Sequence, residues 1–406
     1  MKTLTLLTAT FLISLASAPM LAGASGPTTW VVGVDAPTIQ ATVDLAAPGD
    51  SVRIPGGFYQ EAVQVDTPDL FVYGDGIDVT ILDGAPGYGA GISVSADRVN
   101  VSHLTVQNYR SNGIVFSNVE GFGMYDLHAR NNYGYGLYAI HSTHGDISYS
   151  SGEGQGDSAI YIGETPFCDC DVHHNRGWNN MLGYSGTANS HLRIYENEFF
   201  HNRAGILMSV LPNEAGVEDD GTLYGTQVGT HIYRNYVHDN NNQTRTIGTF
   251  ETIHPPIGEG ITIAGGWNNH VYENILENND YCGTCVFWLS TPARGNAVYD
   301  NIITDSRYGV WWDEFGEDNC WDGNVFGGND ANSDPATLPP CTGLLGGHDA
   351  SCAGPAAEFA ACRGAVDTQG AHAPSAPKLA NLALRALCDL QPYEDPQDDL
   401  GCQPTI

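Results

Sequence analysis

The stretch His191–Ile206, HLRIYENEFFHNRAGI, decides the fold because the chain repeats it. It returns as HIYRNYVHDNNN at His231–Asn242, as HVYENILENNDYCG at His270–Gly283 and as NAVYDNIITDSRYGV at Asn296–Val310. Each copy opens on a short alternating apolar run and passes through Asn-x-φ, where φ is apolar: Asn197-Glu198-Phe199, Asn235-Tyr236-Val237, Asn274-Ile275-Leu276, Asn301-Ile302-Ile303. A polar turn residue follows (Asn202, Asn240, Asn279, Ser306), then a strand of the form G-φ-x-φ, as in Gly205-Ile206-Leu207-Met208 and Gly260-Ile261-Thr262-Ile263. Equivalent strands start at Gly113, Gly136 and Ala159, in steps of 23 residues, and Gly260 to Gly283 is again 23. Between Ala159 and Gly205 the strand is expected to start at Met181 or Leu182. Short period-2 strands at such a period, with Asn and Gly at the corners, describe a solenoid. One coil cannot bury a core alone, so roughly nine or ten stacked coils are expected, about 4.8 Å apart. Asn side chains at stacked corners are expected to bond backbone of the next coil as ladders.

At the N-terminus, residues 1–24 read as a secretory signal: Lys2, an apolar run from Leu4 to Leu15, and Ala22-Gly23-Ala24 before a cut. No later stretch is apolar enough to span a membrane. The expected location is secreted, extracellular or periplasmic, with a monomer expected. Acidic residues number 47 and basic residues 15, which argues against nucleic acid and anionic membranes as partners. Ten cysteines in an exported chain point to disulfides. Cys168/Cys170 and Cys282/Cys285 lie about five coils apart, too far to cross-pair. Each set is a local bridge or a pair of free thiols. The other six, from Cys320 onward, are expected to pair among themselves.

Thr38–Glu61, TIQATVDLAAPGDSVRIPGGFYQE, gives a short helix ending at Pro48-Gly49-Asp50, a first strand at Ser51–Ile54 and a first corner at Gly56-Gly57. Such a helix would cover the open end of the stack. Residues 25–50 are therefore read as an N-terminal strand and capping helix, and 51–327 as the solenoid. Two insertions, 210–229 and 242–258, enlarge the coil between Gly205 and Gly260, which is 32 residues longer than the repeat. Residues 328–406 are read as a disulfide-rich C-terminal cap, with helical spacing at Pro355–Arg363 and Lys378–Leu390.

The entry segment, with Thr38-Ile39-Gln40-Ala41, Pro48-Gly49-Asp50, Tyr59-Gln60-Glu61, Gly74-Asp75-Gly76 and Thr80-Ile81-Leu82-Asp83-Gly84, resembles that of secreted right-handed parallel β-helix proteins. These belong to the pectate-lyase-like, or pectin-lyase-fold, superfamily. The Asn-ladder coils extend the resemblance to about Phe326, and ETPFCDC and LGYSG are similar to segments of uncharacterised bacterial members. The resemblance implies an all-β, right-handed parallel β-helix. It admits polysaccharide lyases, hydrolases, esterases, uronan epimerases, adhesins and copper-delivery accessory proteins. The motif series of the polygalacturonase-like hydrolases and of the pectate lyases are absent. Tyr135–His141, YGLYAIH, resembles the Y-G-φ-D-P-H segment of uronan epimerases, with one residue more and no Asp, and on that likeness only His141 is carried over.

In G-φ-x-φ the two φ residues point inward, so the x residues form one exterior column. Val115, Tyr138, Tyr161, Leu207, Thr262 and Trp311 fall in it, with Tyr184 beside it if its coil starts at Leu182. Aromatics in a row on a flat sheet suit sugar rings. His141, Glu164, Asp313 and Glu314 lie just past the same strands and are the candidate acid–base residues, His141 and Glu164 being one coil apart. Tyr138, Tyr161, Tyr184, Trp311 and His254 are the candidate substrate contacts, and Glu214 and His254 sit in the inserted loops. Carboxylates on this edge would hold Ca²⁺ if the reaction uses it. Cys168, Cys170 and His174 are the alternative, a copper or zinc site. The expected function is action on an extracellular polysaccharide by elimination, hydrolysis or epimerisation. The alternatives are a non-catalytic cell-surface or glycan-binding β-helix protein and a copper-delivery accessory protein.

Overall fold

The computed structural model describes residues 26–342, apart from 86, 211–215, 218–222, 225–226 and 244–256. The signal segment, His254, Glu214, most of both insertions and nearly all of the C-terminal cap lie outside the described residues.

Three parallel sheets wind as a right-handed β-helix of about twelve coils. The first runs from Thr29–Val31 through Cys170–His173 and Leu192–Tyr195 to Cys320–Asp322. The second runs from Gly57–Tyr59 to Val325–Gly327. Two long strands, Val99–Gln107 and Glu120–Arg130, belong to both. The third sheet has eleven strands, from Val63–Val65 to Ala331–Asp334. The coil count exceeds the nine or ten expected. The earliest third-sheet strand, Val63–Val65, has Ala62 in place of the leading glycine, and the next, Ile92–Val94, follows Gly91 in the same Gly-φ-x-φ pattern one step before Gly113. The last, Ala331–Asp334, pairs with Tyr308–Trp312 beyond the point where the periodicity ends.

The repeat motif explains the core. Ile114 and Phe116, Leu137 and Ala139, Ile206 and Met208, and Ile261 and Ile263 all point inward and are buried. The leading glycine is dictated by close approach: a Cβ on Gly205 would lie 2.2 Å from Val237 Cγ1 and 2.6 Å from the Gly260 carbonyl oxygen. Asn175, Asn197, Asn235, Asn274, Asn301 and Asn324 form one ladder. Each Nδ2 donates to the next Oδ1 at 2.9–3.0 Å and to a backbone carbonyl of the preceding coil. Asn180, Asn202, Asn240 and Asn279 form a second. Outside the first sheet, Tyr195, Tyr233, Tyr272 and Tyr299 stack at 5.0–5.1 Å.

The entry cap is a helix at Ile39–Val43. Thr38 Oγ1 accepts from the Ala41 amide, and the Glu61 carboxylate accepts from the amides of Ile39 and Gln40. Ile39 and Val43 are buried over the first coil. Both coil cysteine pairs close locally, Cys168–Cys170 and Cys282–Cys285, and Cys320 bonds Cys341.

Candidate functional site

Strand pairing places Val115, Tyr138, Tyr161, Ser185, Leu207, Thr262, Cys285 and Trp311 in one row on the outer face of the third sheet. A second outward row, three residues earlier in the strands, contains Tyr135, Leu182, Ala204, Glu259, Cys282 and Tyr308. Tyr184 is not on this face. It pairs with Ile160 and Ile206, is fully buried, and receives a hydrogen bond from Asn189 Nδ2 at 3.4 Å. The strand spans Leu182–Thr187, but its Gly-φ-x-φ motif starts at Gly183, one residue after Leu182, and a one-residue slip exchanges inward for outward positions. Tyr161 does face outward, but it is only 5% exposed, because the rings of Tyr135 and Tyr138 pack on it at 4.7 and 4.8 Å. It is a wall of the site and not an open platform. Trp311 is six coils from Tyr138 and packs at 5.8 Å against Tyr281 and Phe287.

Under this tyrosine cluster lies Asp157, which is 1% exposed. Burial pushes its pKa up to about 7, only partly opposed by a hydrogen bond from Tyr135. Its Oδ2 atom has no hydrogen-bond partner among the described residues. Tyr138 is pushed up to about 12 by burial and then by the negative charges of Glu164 and Asp157, so it lies in the field of both carboxylates. Tyr135 is raised well above the ordinary tyrosine value, by burial first and by Asp157 next. Three coils further along, Glu259 is also buried, with its pKa pushed up to about 7 by desolvation, and Thr262 Oγ1 donates to its Oε2 at 2.7 Å. Neither acid is among the sequence-expected site residues. Aligning the coils could have found Glu259, because its row is otherwise apolar or neutral.

His141 and Glu164 meet where the same strands end. Their backbones are left-handed, with φ of 49° and 50°, and the stacked corners bring His141 Nε2 to 3.0 Å from Glu164 Oε2. Both side chains are open to solvent. Asp313 and Glu314 do not join them. Asp313 accepts the amides of Trp288 and Phe315 at 2.7 and 2.9 Å, which builds a turn across two coils and occupies both oxygens. Glu314 is exposed at a left-handed corner near the far end of the stack.

The cysteine-based metal alternative fails. Cys168 and Cys170 are bonded to each other in the core, so neither offers a thiolate. His174 lies on another face, at the first-sheet corner. There Asp146, His173, His174 and Glu196 form a continuous chain. His173 Nε2 is 3.0 Å from Asp146 Oδ2, the two Nδ1 atoms are 2.7 Å apart, and His174 Nε2 is 3.1 Å from Glu196 Oε2. Among the described residues no group of three or more His, Cys, Asp or Glu is placed to hold a metal ion. No helix among them is long and apolar enough to cross a membrane.

Solved structures share the fold at low identity. The A-module of the mannuronan C-5 epimerase AlgE6 of Azotobacter vinelandii is 14% identical, with a TM-score of 0.50 over 73% of this chain and 90% of that one. The catalytic unit of a GH87 alpha-1,3-glucanase from Streptomyces thermodiastaticus strain HF3-3 is also 14% identical, with a TM-score of 0.54 over 79% and 66%. No curated protein matches. Residues 90–292, half of the chain, match the family model described as Periplasmic copper-binding protein (NosD), and the chain belongs to that family.

Proposed function

We propose that the protein acts on a polysaccharide outside the cytoplasm, at the outer face of the third sheet. The observation that carries this reading is Asp157. It is a carboxylic acid titrating near neutral pH, buried under three tyrosines, with one oxygen unpartnered among the described residues. A group with that pKa can give or take a proton at physiological pH, which transfer at a glycosidic oxygen or a sugar C–H requires. Tyr138 supplies a ring for sugar stacking and a neutral hydroxyl donor. The His141–Glu164 pair at the strand ends supplies a second proton relay. The epimerase and glucanase of like fold act on polysaccharides, as their names state, which supports the substrate class without choosing the reaction.

The test is a product screen on neutral and acidic polysaccharides, with and without Ca²⁺ and high salt. New unsaturated ends mean elimination, new reducing ends alone mean hydrolysis, and a changed uronate ratio without chain cleavage means epimerisation. Asp157→Asn is expected to lower turnover by about 10²-fold or more. A parent that releases no product from any polymer, or an Asp157→Asn variant with full turnover, overturns the reading.

A second reading, copper handling in the periplasm, is favoured by the family match. The bridged cysteines do not suit it, but imidazole nitrogen does suit copper, and His173 and His174 offer two such nitrogens.

A further inference from the structure

We propose that Trp288 and Phe315 form a binding platform for an uncharged polysaccharide chain, apart from the place where its bonds react. The ligand class rests on the polysaccharide reading; the position of the platform does not depend on Asp157.

Trp288 is 54% exposed and Phe315 60% exposed, at corners of two consecutive coils. Their ring centroids lie 6.1 Å apart at a tilt of 42°. A single exposed apolar side chain is ordinary on a protein surface, but two aromatic rings meeting in water form a patch that a ligand can cover. The rings stand on a fixed backbone. One carboxylate holds both: Asp313 Oδ2 accepts from the Trp288 amide at 2.7 Å and Oδ1 from the Phe315 amide at 2.9 Å. Trp312 Nε1 donates to the Phe315 carbonyl at 3.3 Å. Gly316, with φ of 98°, seats the corner on the preceding coil, where a Cβ would lie 1.7 Å from the Ala293 carbonyl oxygen. Rings held in this way lose little freedom when a ligand binds.

The surroundings select the ligand. A sugar offers an apolar C–H face to an aromatic ring and hydroxyl donors at its rim. The strand register sets Trp312 opposite Val286, so two residues further on Glu314 falls opposite Trp288. Glu314 and Asp318 are both exposed. Carboxylates only accept hydrogen bonds, which suits sugar hydroxyls. The same charges repel a uronate or sulfate group. Arg294 does not offset them, because Glu317 holds it at 3.2 Å and it lies over the Trp267 ring. An uncharged chain meets both requirements.

The platform shares an edge of the third sheet with the His141–Glu164 pair. Backbone bonds run from His141 to Gly163, Glu164 to Thr187, Ala188 to Ser209, Val210 to Ala264 and Gly265 to Phe287. In a parallel ladder these bonds stack Glu164, Ala188, Val210, Gly265 and Trp288 in one column. Four coil steps separate Glu164 from Trp288, about 19 Å. One or two sugar rings cannot bridge that span, so the platform serves a polymer. Holding the polymer there raises the local concentration of sugar at the reacting face.

The experiment is affinity electrophoresis of the whole protein in native gels containing hydroxyethylcellulose, a galactomannan or a soluble 1,3-glucan, with alginate and pectate as acidic counterparts. Product release from each polymer is measured alongside. At least one neutral polymer is expected to retard the parent, and neither acidic one. Trp288→Ala and Phe315→Ala should each raise the Kd about tenfold. Full retardation of both variants by a polymer that the parent binds overturns the platform and leaves the polysaccharide reading standing. Retardation by alginate or pectate alone overturns the uncharged ligand. No retardation and no product from any polymer overturns both. A concentration-dependent dimer of the parent that both variants abolish means the rings bind a second copy of the chain, which also overturns the platform. Should the variants fail to fold, N-bromosuccinimide oxidation of the parent decides, read by peptide mapping with and without the bound polymer. Trp288 is expected to be protected, and oxidation of Trp288 at an unchanged rate refutes the site.

Discussion

Asp157 is a carboxyl group held against its ordinary chemistry. Its folded pKa of about 7 lies above the ordinary aspartate value of 3.8, so the folded state binds the extra proton between those two values. Stability is therefore lost as pH rises from about 4 to about 7, and the penalty is constant above that. A shift of this size caps the effect at about 4 kcal/mol. Asp157→Asn should accordingly melt higher than the parent at pH 8 and like it near pH 4, while losing turnover. A variant that melts lower at pH 8 would mean the carboxylate is ionised and satisfied in the fold. Glu259→Gln should show the same pH pattern, because burial raises that group too. The His141–Glu164 pair behaves differently, since both side chains are solvent-exposed. Glu164→Gln should leave the melting temperature within a degree or two and show itself only in turnover. Equal turnover in parent and Glu164→Gln would reduce this pair to one more contact between stacked corners.

At the scale of the element, the asparagine ladder turns a corner into a structural joint. Each Asn of the main ladder from Asn175 to Asn301 satisfies backbone of a neighbouring coil and the next Asn at once, in a fully buried setting. Asn235→Ala would take the acceptor from the Asn197 backbone amide and the side-chain donor from the Ile194 carbonyl, while Asn274 Oδ1 would keep the bond from the residue 235 amide. The expected cost is about 3 kcal/mol or more, as several buried polar groups lose partners together. Asn324 sits at the ladder's end and is half-buried, so Asn324→Ala should cost clearly less. Chemical denaturation of both variants checks the order, and equal losses would mean the ladder is not cooperative. The Asn-x-φ motif showed this element directly in the sequence. The third-sheet strands were legible in the same way, except where one extra residue before Gly183 shifted the face on which Tyr184 falls.

Over the whole molecule, the stack grows in one dimension and its ends are its weak points. The Cys320–Cys341 bond ties the last first-sheet strand to the chain beyond it, closing a loop of sequence separation 21. Replacing both cysteines with serine should cost about 3 kcal/mol, and hydrogen exchange should quicken first in the coils after Tyr308. Uniform quickening along all coils would argue against fraying from this end. The net charge of −32 adds a second whole-molecule effect. Self-repulsion is screened by salt, so the melting temperature should rise between low and near-molar NaCl. A flat or falling response would mean that ion pairs such as Arg193–Asp171 outweigh the repulsion.

The sequence by itself determined the all-β solenoid, its 23-residue step, the ladder asparagines, the capping helix and the separation of the two coil cysteine sets, while their bridging was decided by the structure. These follow from periodicity, which is a property of one coil repeated. It also placed His141 beside Glu164, because one coil step converts directly into one interstrand spacing. Only the tertiary structure decided which groups are buried and what they meet. Asp157 and Glu259 look like two more acids among 47 until desolvation sets them apart. Asp313 is placed by periodicity just past the Trp311 strand, and only the structure shows its oxygens accepting one amide of the preceding coil and one amide of its own turn. His173 and His174 are adjacent letters in the chain. The opposition of their Nδ1 atoms depends on Asp146 and Glu196, brought to either side by coils that periodicity counts but does not pack.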